Sequence, residues 1–340
     1  MNPLVSILIP AYNAEKWIAD TIRSALGQTW PKREIVIVND GSRDQTLAIA
    51  RRFASKGLAV ISQENQGASV ARNKALECCQ GEYIQWLDAD DLLAPDKIAR
   101  QVAAAEKLGS KQTLLSSAWA TFMYQLSKAK FCPTSLWCDL VPVEWLLRKM
   151  GENLHMQTAT WLVSRDLTEA AGSWDPRLSL DDDGEYFCRV LLASEGVHFV
   201  PDAKVFYRES GPARLSSVDR SDKKLESQFL SMKLHVGYLR SLEESERVRA
   251  ACLSYLQTWF VWFFGERPDL AEGLERLAAT LGGQLKIPPL RKKYRWIETV
   301  FGRRIATRAQ SVFPRLKWNL IRSLEKALCI VGSSKVANRA

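Results

Sequence analysis

The sequence predicts an α/β fold with a parallel sheet and helices on both faces, and three observations carry that prediction. Through the first hundred residues, apolar runs of strand length alternate with segments of helical period. The runs are continuous, as expected of strands buried on both faces. Polar clusters follow the strands at Ala11-Tyr12-Asn13, Asn39-Asp40-Gly41-Ser42 and Asp88-Ala89-Asp90-Asp91. Ligands in such sheets bind at the carboxyl ends of the strands, so one cleft can collect all three.

Leu4 to Ile9 reads as a buried strand ended by Pro10, and Ala14 to Gln28 places Trp17, Ile18, Ile22, Ala25 and Leu26 at helical spacing. Glu34 to Val38 is a second strand. Ser42 is placed to cap the next helix, whose Leu47, Ile49, Ala50 and Phe53 face inward. Leu58 to Ser62 is a third strand, Ser69 to Cys79 a helix, and Tyr83 to Leu87 a fourth strand, with another helix starting near Pro95. Strands joined by helices imply right-handed parallel crossovers. From Leu114 to Tyr207 the pattern is mixed, and beyond Asp219 it is mainly helical, with Tyr238, Tyr255, Trp259, Trp262 and Phe263. Gly211-Pro212 and Ile287-Pro288-Pro289 mark junctions. The expected organisation is an α/β domain over 1–210, with halves 1–110 and 111–210, followed by a helical, basic region over 211–340.

Composition excludes several classes. Hydrophobic content of 46% with 25% charged residues is that of a folded chain. No basic region precedes the first apolar run, so no secretory signal is expected, and the apolar stretch Trp259 to Phe264 is far below the roughly 20 residues of a membrane span. Seven cysteines without a Cys-x-x-Cys pair suggest neither a disulfide framework nor zinc, which favours a cytoplasmic location. No glycine-rich dinucleotide fingerprint and no P-loop occurs. The net charge of +9 is concentrated near the end: Lys286 to Lys326 holds twelve Lys/Arg against Glu298 and Glu325.

Aspartates one residue apart after a strand, such as Asp88 and Asp90, can share a hard divalent cation that also bridges two phosphates of a ligand. A second acidic cluster, Asp181-Asp182-Asp183-Gly184-Glu185, offers a carboxylate to take a proton from a hydroxyl nucleophile. Crowding of the acidic groups at 181, 182 and 185 is expected to raise the pKa of that base.

In order, Pro-Ala-Tyr-Asn after the first strand, Val-Asn-Asp-Gly-Ser after the second, Asn65-Gln66-Gly67-Ala68-Ser69-Val70-Ala71-Arg72-Asn73 and Leu-Asp-Ala-Asp-Asp resemble the signature of glycosyltransferase family 2. The resemblance covers roughly Pro3 to Arg208. It implies a GT-A fold, Mn2+ or Mg2+ as cofactor, a nucleotide diphosphate sugar donor (UDP-linked or similar) and inversion at the anomeric carbon.

Position by position, the resemblance makes Asp40 the nucleoside-binding aspartate, with Pro10, Tyr12 and Asn13 as the base-side wall. Arg72 becomes the basic residue near the diphosphate, Asp88 the nucleotide-side carboxylate and Asp90 the metal ligand. Aligning the second cluster on Arg189 places the catalytic base at Asp183, with Asp182 where the family usually has Glu. That departure leaves the choice between Asp182 and Asp183 open. Gln157, Trp161 and Trp174 resemble the acceptor-side segment, where an indole ring can stack on a sugar, core packing being the alternative for both rings. His155 could lie near the metal, although neither it nor His198 has a partner at ligand spacing.

Two other classes compete. A sugar nucleotidyltransferase needs a glycine-rich basic segment early in the chain, which Ala11 to Glu15 lacks; a non-catalytic nucleotide-sugar-binding protein is disfavoured by two intact acidic clusters. The acceptor is expected to be a polysaccharide, oligosaccharide or lipid-linked glycan. In the tail, Tyr294, Trp296, Ile297, Val300, Phe301, Phe313, Leu316, Trp318, Leu320 and Ile321 mix with the basic residues. That composition suits peripheral contact with an anionic membrane, or else a helical subdomain that packs its aromatics on the core with a solvated basic face, and no nucleic acid is expected as partner.

Overall fold

The structure is a computed structural model that describes residues 2–209, 221–264, 266–287, 290, 292–302, 305–306 and 310. In chain order its strands are β1 (Val5–Ala11), β2 (Arg33–Asp40), β3 (Leu58–Gln63), β4 (Tyr83–Trp86), β5 (Leu92–Leu93), β6 (Thr113–Phe122), β7 (Lys130–Phe131), β8 (Val163–Ser164) and β9 (Gly196–Arg208). The helices are α1 (Ile18–Leu26), α2 (Thr46–Arg51), α3 (Ala68–Glu77), α4 (Lys97–Leu108), α5 (Pro142–Gly151), α6 (Arg165–Ala171), α7 (Asp182–Ala193), α8 (Asp222–Leu242), α9 (Glu246–Phe263) and α10 (Pro268–Thr280).

The main sheet has the order β3-β2-β1-β4-β8, parallel apart from β8. Val5, Ile7, Leu8 and Ile9 of β1 are all fully buried, which is what a continuous apolar run in a sheet covered on both faces requires. Ile18, Ile22 and Ala25 line the inner face of α1. The chain runs from β1 outward to β2 and β3, then returns to the other side of β1 as β4. A crevice therefore opens at the carboxyl ends of β1 and β4. A second sheet, β5-β9-β6-β7, extends the platform, with β6 and β9 parallel and a register shift at Ser117/Ala118.

Several local signals behave as their chemistry dictates. Gly67 precedes α3 at φ +95, a conformation that favours glycine. Pro142 stands in the first turn of α5, and Ser164 caps α6 by accepting from Leu167 N. The expected cap at Ser42 is a correction: α2 starts at Thr46, whose N–H is accepted by Asp44 Oδ1 at 2.9 Å, while Ser42 Oγ accepts from Asn13 N. Asp44 wins because it stands two residues before the helix's first residue, the reach of an Asx turn.

The helical region joins the same apolar core. Leu225, Met232, Val236 and Leu239 of α8 and Val248, Cys252, Leu256 and Phe260 of α9 are continuous with the residues behind the sheet. The Gly211-Pro212 and Pro288-Pro289 junctions lie outside the described residues. No described helix is long and apolar enough to cross a membrane, and the six cysteines among the described residues are free thiols.

Candidate active site

Two loops build one wall of the crevice and lace together. Asn13, at φ +49, accepts from Arg43 N through Oδ1 at 2.8 Å, and Glu15 Oε2 accepts from Gln45 N at 3.1 Å. Tyr12 is 46% exposed beside them, an aromatic face open to a ligand. Asp40 is buried: Oδ1 accepts from Gln63 Nε2 (2.8 Å) and Gln66 N (2.9 Å), and Oδ2 accepts from Gly67 N (2.9 Å). The resemblance implied that Asp40 contacts the nucleoside. Its carboxylate also holds the loop leading into α3, because backbone N–H groups within reach of a buried carboxylate bond its lone pairs.

Beyond β4 the chain turns through Asp88, Ala89, Asp90 and Asp91. Asp91 is fully buried and accepts from Arg208 N (2.8 Å) and Gln157 Nε2 (2.5 Å); burial, with Asp90 and Asp88 adding to it, lifts its pKa well above the usual carboxylate range. Asp91 is thus a structural strut. Arg208 Nε donates to Asp90 O at 2.8 Å, and its guanidinium lies 4.6 Å from the ring centres of Trp17 and Phe122. Thr21 Oγ1 donates to Ala89 O and Asp91 O. The turn is therefore held by its backbone, which leaves Asp88 and Asp90 on the crevice side, half-buried.

Arg72 joins this turn to the second acidic cluster. It is buried on α3, with Nη2 3.0 Å from Asp88 Oδ1, Nη1 2.6 Å from Asp182 Oδ2, and its guanidinium 4.4 Å from the Trp174 ring centre. Burial pulls its pKa down, but Asp182, Asp88 and Asp183 outweigh that and hold the charge on. Asp182 also lies 3.3 Å from Ser69 Oγ. Asp183 has a different environment: Oδ2 accepts from Thr158 Oγ1 at 2.9 Å, and Oδ1 from Gly184 N. Burial first, then the charges of Asp182 and Asp181, push Asp183 up to about 6 against the pull of Arg72. Glu185, also expected to raise it, is instead paired with Arg189 at 2.7 Å.

Of the two alternatives for Trp161 and Trp174, the structure has core packing. Trp161 is 1% exposed and Trp174 0%, so neither presents a face to a sugar. Trp174 stacks on Tyr186 at 4.1 Å and 7° and meets Trp86 edge-on at 5.1 Å; Trp161 stacks on Phe187 at 5.2 Å. The area buried by an indole outweighs its use at the surface, and these rings fill the space between the sheet and α7. Gln157 is also committed, to Asp91 and to Ala159 N. His155 sits 5.2 Å from the Trp119 ring and His198 pairs with Asp139 on the surface.

Among the described residues no group of three or more His, Cys, Asp and Glu is preassembled for a metal. Asp88 and Asp90 alone fit a hard cation only if it draws further ligands from diphosphate oxygens and water, a common arrangement for Mg2+. Thr158, Arg208 and Thr21 were not singled out in the sequence. A hydroxyl or guanidinium carries no motif of its own, and only their positions within motif-bearing loops could have drawn attention.

The Glycosyl transferase family 2 model matches residues 6–123. The uncharacterized glycosyltransferase EpsJ of Bacillus subtilis strain 168 is 30% identical over 67% of this chain and 68% of its own length. The putative teichuronic acid biosynthesis glycosyltransferase TuaG of the same organism is 45% identical over 30% of this chain and 41% of its own. The chain spans well under half the length of several other relatives it matches, 36% of one from Rickettsia typhi and 16% of one from Rickettsia bellii. Among solved structures, S. aureus TarS 1-349 in complex with UDP-GlcNAc superposes with a TM-score of 0.65 at 18% identity, over 90% of this chain and 91% of that one. The mannosyltransferase PcManGT of Pyrobaculum calidifontis, in complex with GDP-Man and Mn2+, gives 0.55 at 20% identity, over 92% and 88%. At that identity these two likenesses establish the fold, which is GT-A.

Proposed function

The chain belongs to glycosyl transferase family 2, and from that premise we propose that it transfers a sugar from a nucleotide diphosphate donor, UDP-linked, to an acceptor hydroxyl with inversion. It is a glycosyltransferase by family; donor, stereochemistry and residue roles are our reading. The observation that carries it is the division of labour between two adjacent carboxylates: Arg72 takes Asp182, while Asp183 rests on a neutral hydroxyl with its pKa raised to about 6. A general base works best when its pKa lies near the working pH.

In this reading the acceptor oxygen attacks the anomeric carbon as Asp183 takes its proton. The bond from that carbon to the diphosphate oxygen breaks, and the electron pair leaves with the nucleoside diphosphate. One displacement inverts the centre. Pro10, Tyr12 and Asn13 line the base-side wall, and Asp40, which also holds the loop before α3, is the aspartate on the nucleoside side. Asp88 and Asp90 would hold Mn2+ or Mg2+, and that cation would supply positive charge to offset the charge growing on the leaving diphosphate. Arg72 keeps a positive charge between the two clusters and orients both.

A polysaccharide or lipid-linked glycan acceptor is supported by TuaG, whose name places it in teichuronic acid biosynthesis. We further propose peripheral contact with an anionic cytoplasmic membrane surface. Trp296, Val300, Phe301 and Ile305 are each at least half exposed, next to exposed Lys286, Lys292, Lys293 and Arg295. Tyr294 and Ile297 pack into a small apolar cluster instead. Phe313, Leu316, Trp318, Leu320 and Ile321 lie outside the described residues. We retain 1–210 as the catalytic unit, with halves 1–110 and 111–210, and 211–340 as the helical region that supports it.

The deciding experiment is a panel of nucleotide sugars with glycan acceptors, run with the native chain and Asp183→Asn. Metal-dependent transfer that inverts the anomeric centre by NMR and disappears in the variant is expected; retained configuration, or undiminished transfer by Asp183→Asn, overturns the reading.

A further inference from the structure

The turn that presents Asp183 is held by α8, a helix of the C-terminal region. Ser227 Oγ accepts from Ser179 N (2.8 Å) and Leu180 N (2.9 Å) and donates to Leu180 O (2.9 Å). One turn along the same face, Ser231 Oγ donates to Asp181 Oδ2 at 2.6 Å. A further turn on, His235 Nδ1 lies 3.6 Å from that oxygen and 3.1 Å from Tyr255 Oη on α9. Tyr238 Oη then donates to Glu185 Oε1 at 2.7 Å.

Ser227 and Ser231 are buried between packed helices, where alanine would fill nearly the same space without desolvating a hydroxyl. Their hydroxyls are accounted for only by what they bond. What they bond is a left-handed turn. Asp181 adopts φ +58, a left-handed conformation that most side chains avoid and that Asp and Asn tolerate best, and a Cβ on Gly184 would collide with Asp181 Oδ1. Burial pushes Asp181 up, yet Lys149, His235 and the Ser231 bond prevail and hold its carboxylate below the usual range. Asp181, bonded by Ser231 Oγ with His235 Nδ1 3.6 Å away, therefore starts α7 in one orientation. Asp183 follows two residues later.

We propose that α8 is a positioning element for the reaction: through Ser227 and Ser231 it fixes the left-handed turn at Asp181, and thereby where Asp183 meets the acceptor hydroxyl. The proposal rests on reading Asp183 as the base. Misplacing a reacting group by about 1 Å can cost on the order of a hundredfold in rate.

The test is steady-state kinetics on the full chain with Ser227→Ala, Ser231→Ala, the double variant, Asp181→Asn and Asp181→Ala, alongside thermal unfolding and UDP titration. Expected is a fall in kcat of about tenfold for each serine variant and about a hundredfold for the double, with donor KM and UDP affinity within about twofold of native. Asp181→Asn, which tolerates the left-handed turn and still accepts from Ser231, should keep kcat within about threefold of native; Asp181→Ala should match the double variant. Native kcat in the serine variants with only a lowered Tm makes these contacts merely structural and overturns the proposal. Asp181→Asn as impaired as Asp181→Ala also overturns it, since the charge would then matter more than the placement. Asp183→Asn is run in parallel. If it stays active the base reading fails, whereas if it is inactive and the serine variants are native, only the positioning role fails. Should the double variant not fold, the single variants and the Asp181 pair carry the test.

Discussion

Arg72 Nη1 lies 2.6 Å from Asp182 Oδ2, an ion pair that spans 110 residues of chain and ties the two acidic clusters into one site. It also distinguishes two carboxylates that are neighbours in sequence: Asp182 is bound by a buried guanidinium, whereas Asp183 rests on the Thr158 hydroxyl and is pushed up, chiefly by burial.

The rate should follow that distinction. Asp183 is raised to about 6, so kcat/KM is expected to climb as pH rises through about 6, where the carboxylate form needed to accept a proton is gained. Replacing Arg72 by Gln removes the positive charge that holds Asp183 down, so the acid limb should move to higher pH while kcat falls. A pH–rate profile of both proteins checks this, and a limb that stays in place or moves down contradicts the arrangement.

Metal dependence is expected to reside in Asp88 and Asp90. Chelation should abolish transfer, Mn2+ or Mg2+ should restore it, and Asp90→Asn should weaken UDP binding in the presence of metal more than in its absence. Calorimetry with and without divalent ions measures this. Equal UDP affinity under both conditions, with activity surviving the chelator, removes the metal from the account.

Trp174 should matter through packing rather than sugar binding. Trp174→Ala empties a site against Tyr186, Trp86 and the Arg72 guanidinium, and the expected loss is about 3–5 kcal/mol of stability. Denaturant unfolding reads the loss directly. Trp174→Phe, which keeps an apolar ring, should recover part of it, and acceptor KM in that variant should change little.

The exposed apolar residues of the C-terminal region predict cosedimentation with anionic vesicles that weakens as salt is raised. Replacing Trp296, Val300 and Phe301 by Ser should reduce binding at least several-fold while UDP affinity is kept. Equal pelleting of native and substituted chains rules out this surface as the contact.

Much of the fold was legible along the chain. Buried strands and amphipathic helices announce themselves through periods of a few residues, and the turns after β1, β2 and β4 through residues such as Asn13, Asp40 and Asp90 that stand next to apolar runs. The carboxylates of the candidate site were legible for the same reason, since each cluster is contiguous. What a side chain does once the chain has folded was not. Asp40 bonds the loop before α3, Trp161 and Trp174 are sealed in the core, Arg72 divides itself between Asp88 and Asp182, and α8 reaches back about fifty residues to hold the turn at Asp181. Local periodicity records which way a residue faces, because that depends on its neighbours in sequence. Which partner satisfies a buried charge or hydroxyl depends on groups brought together from distant segments, and only tertiary packing decides that.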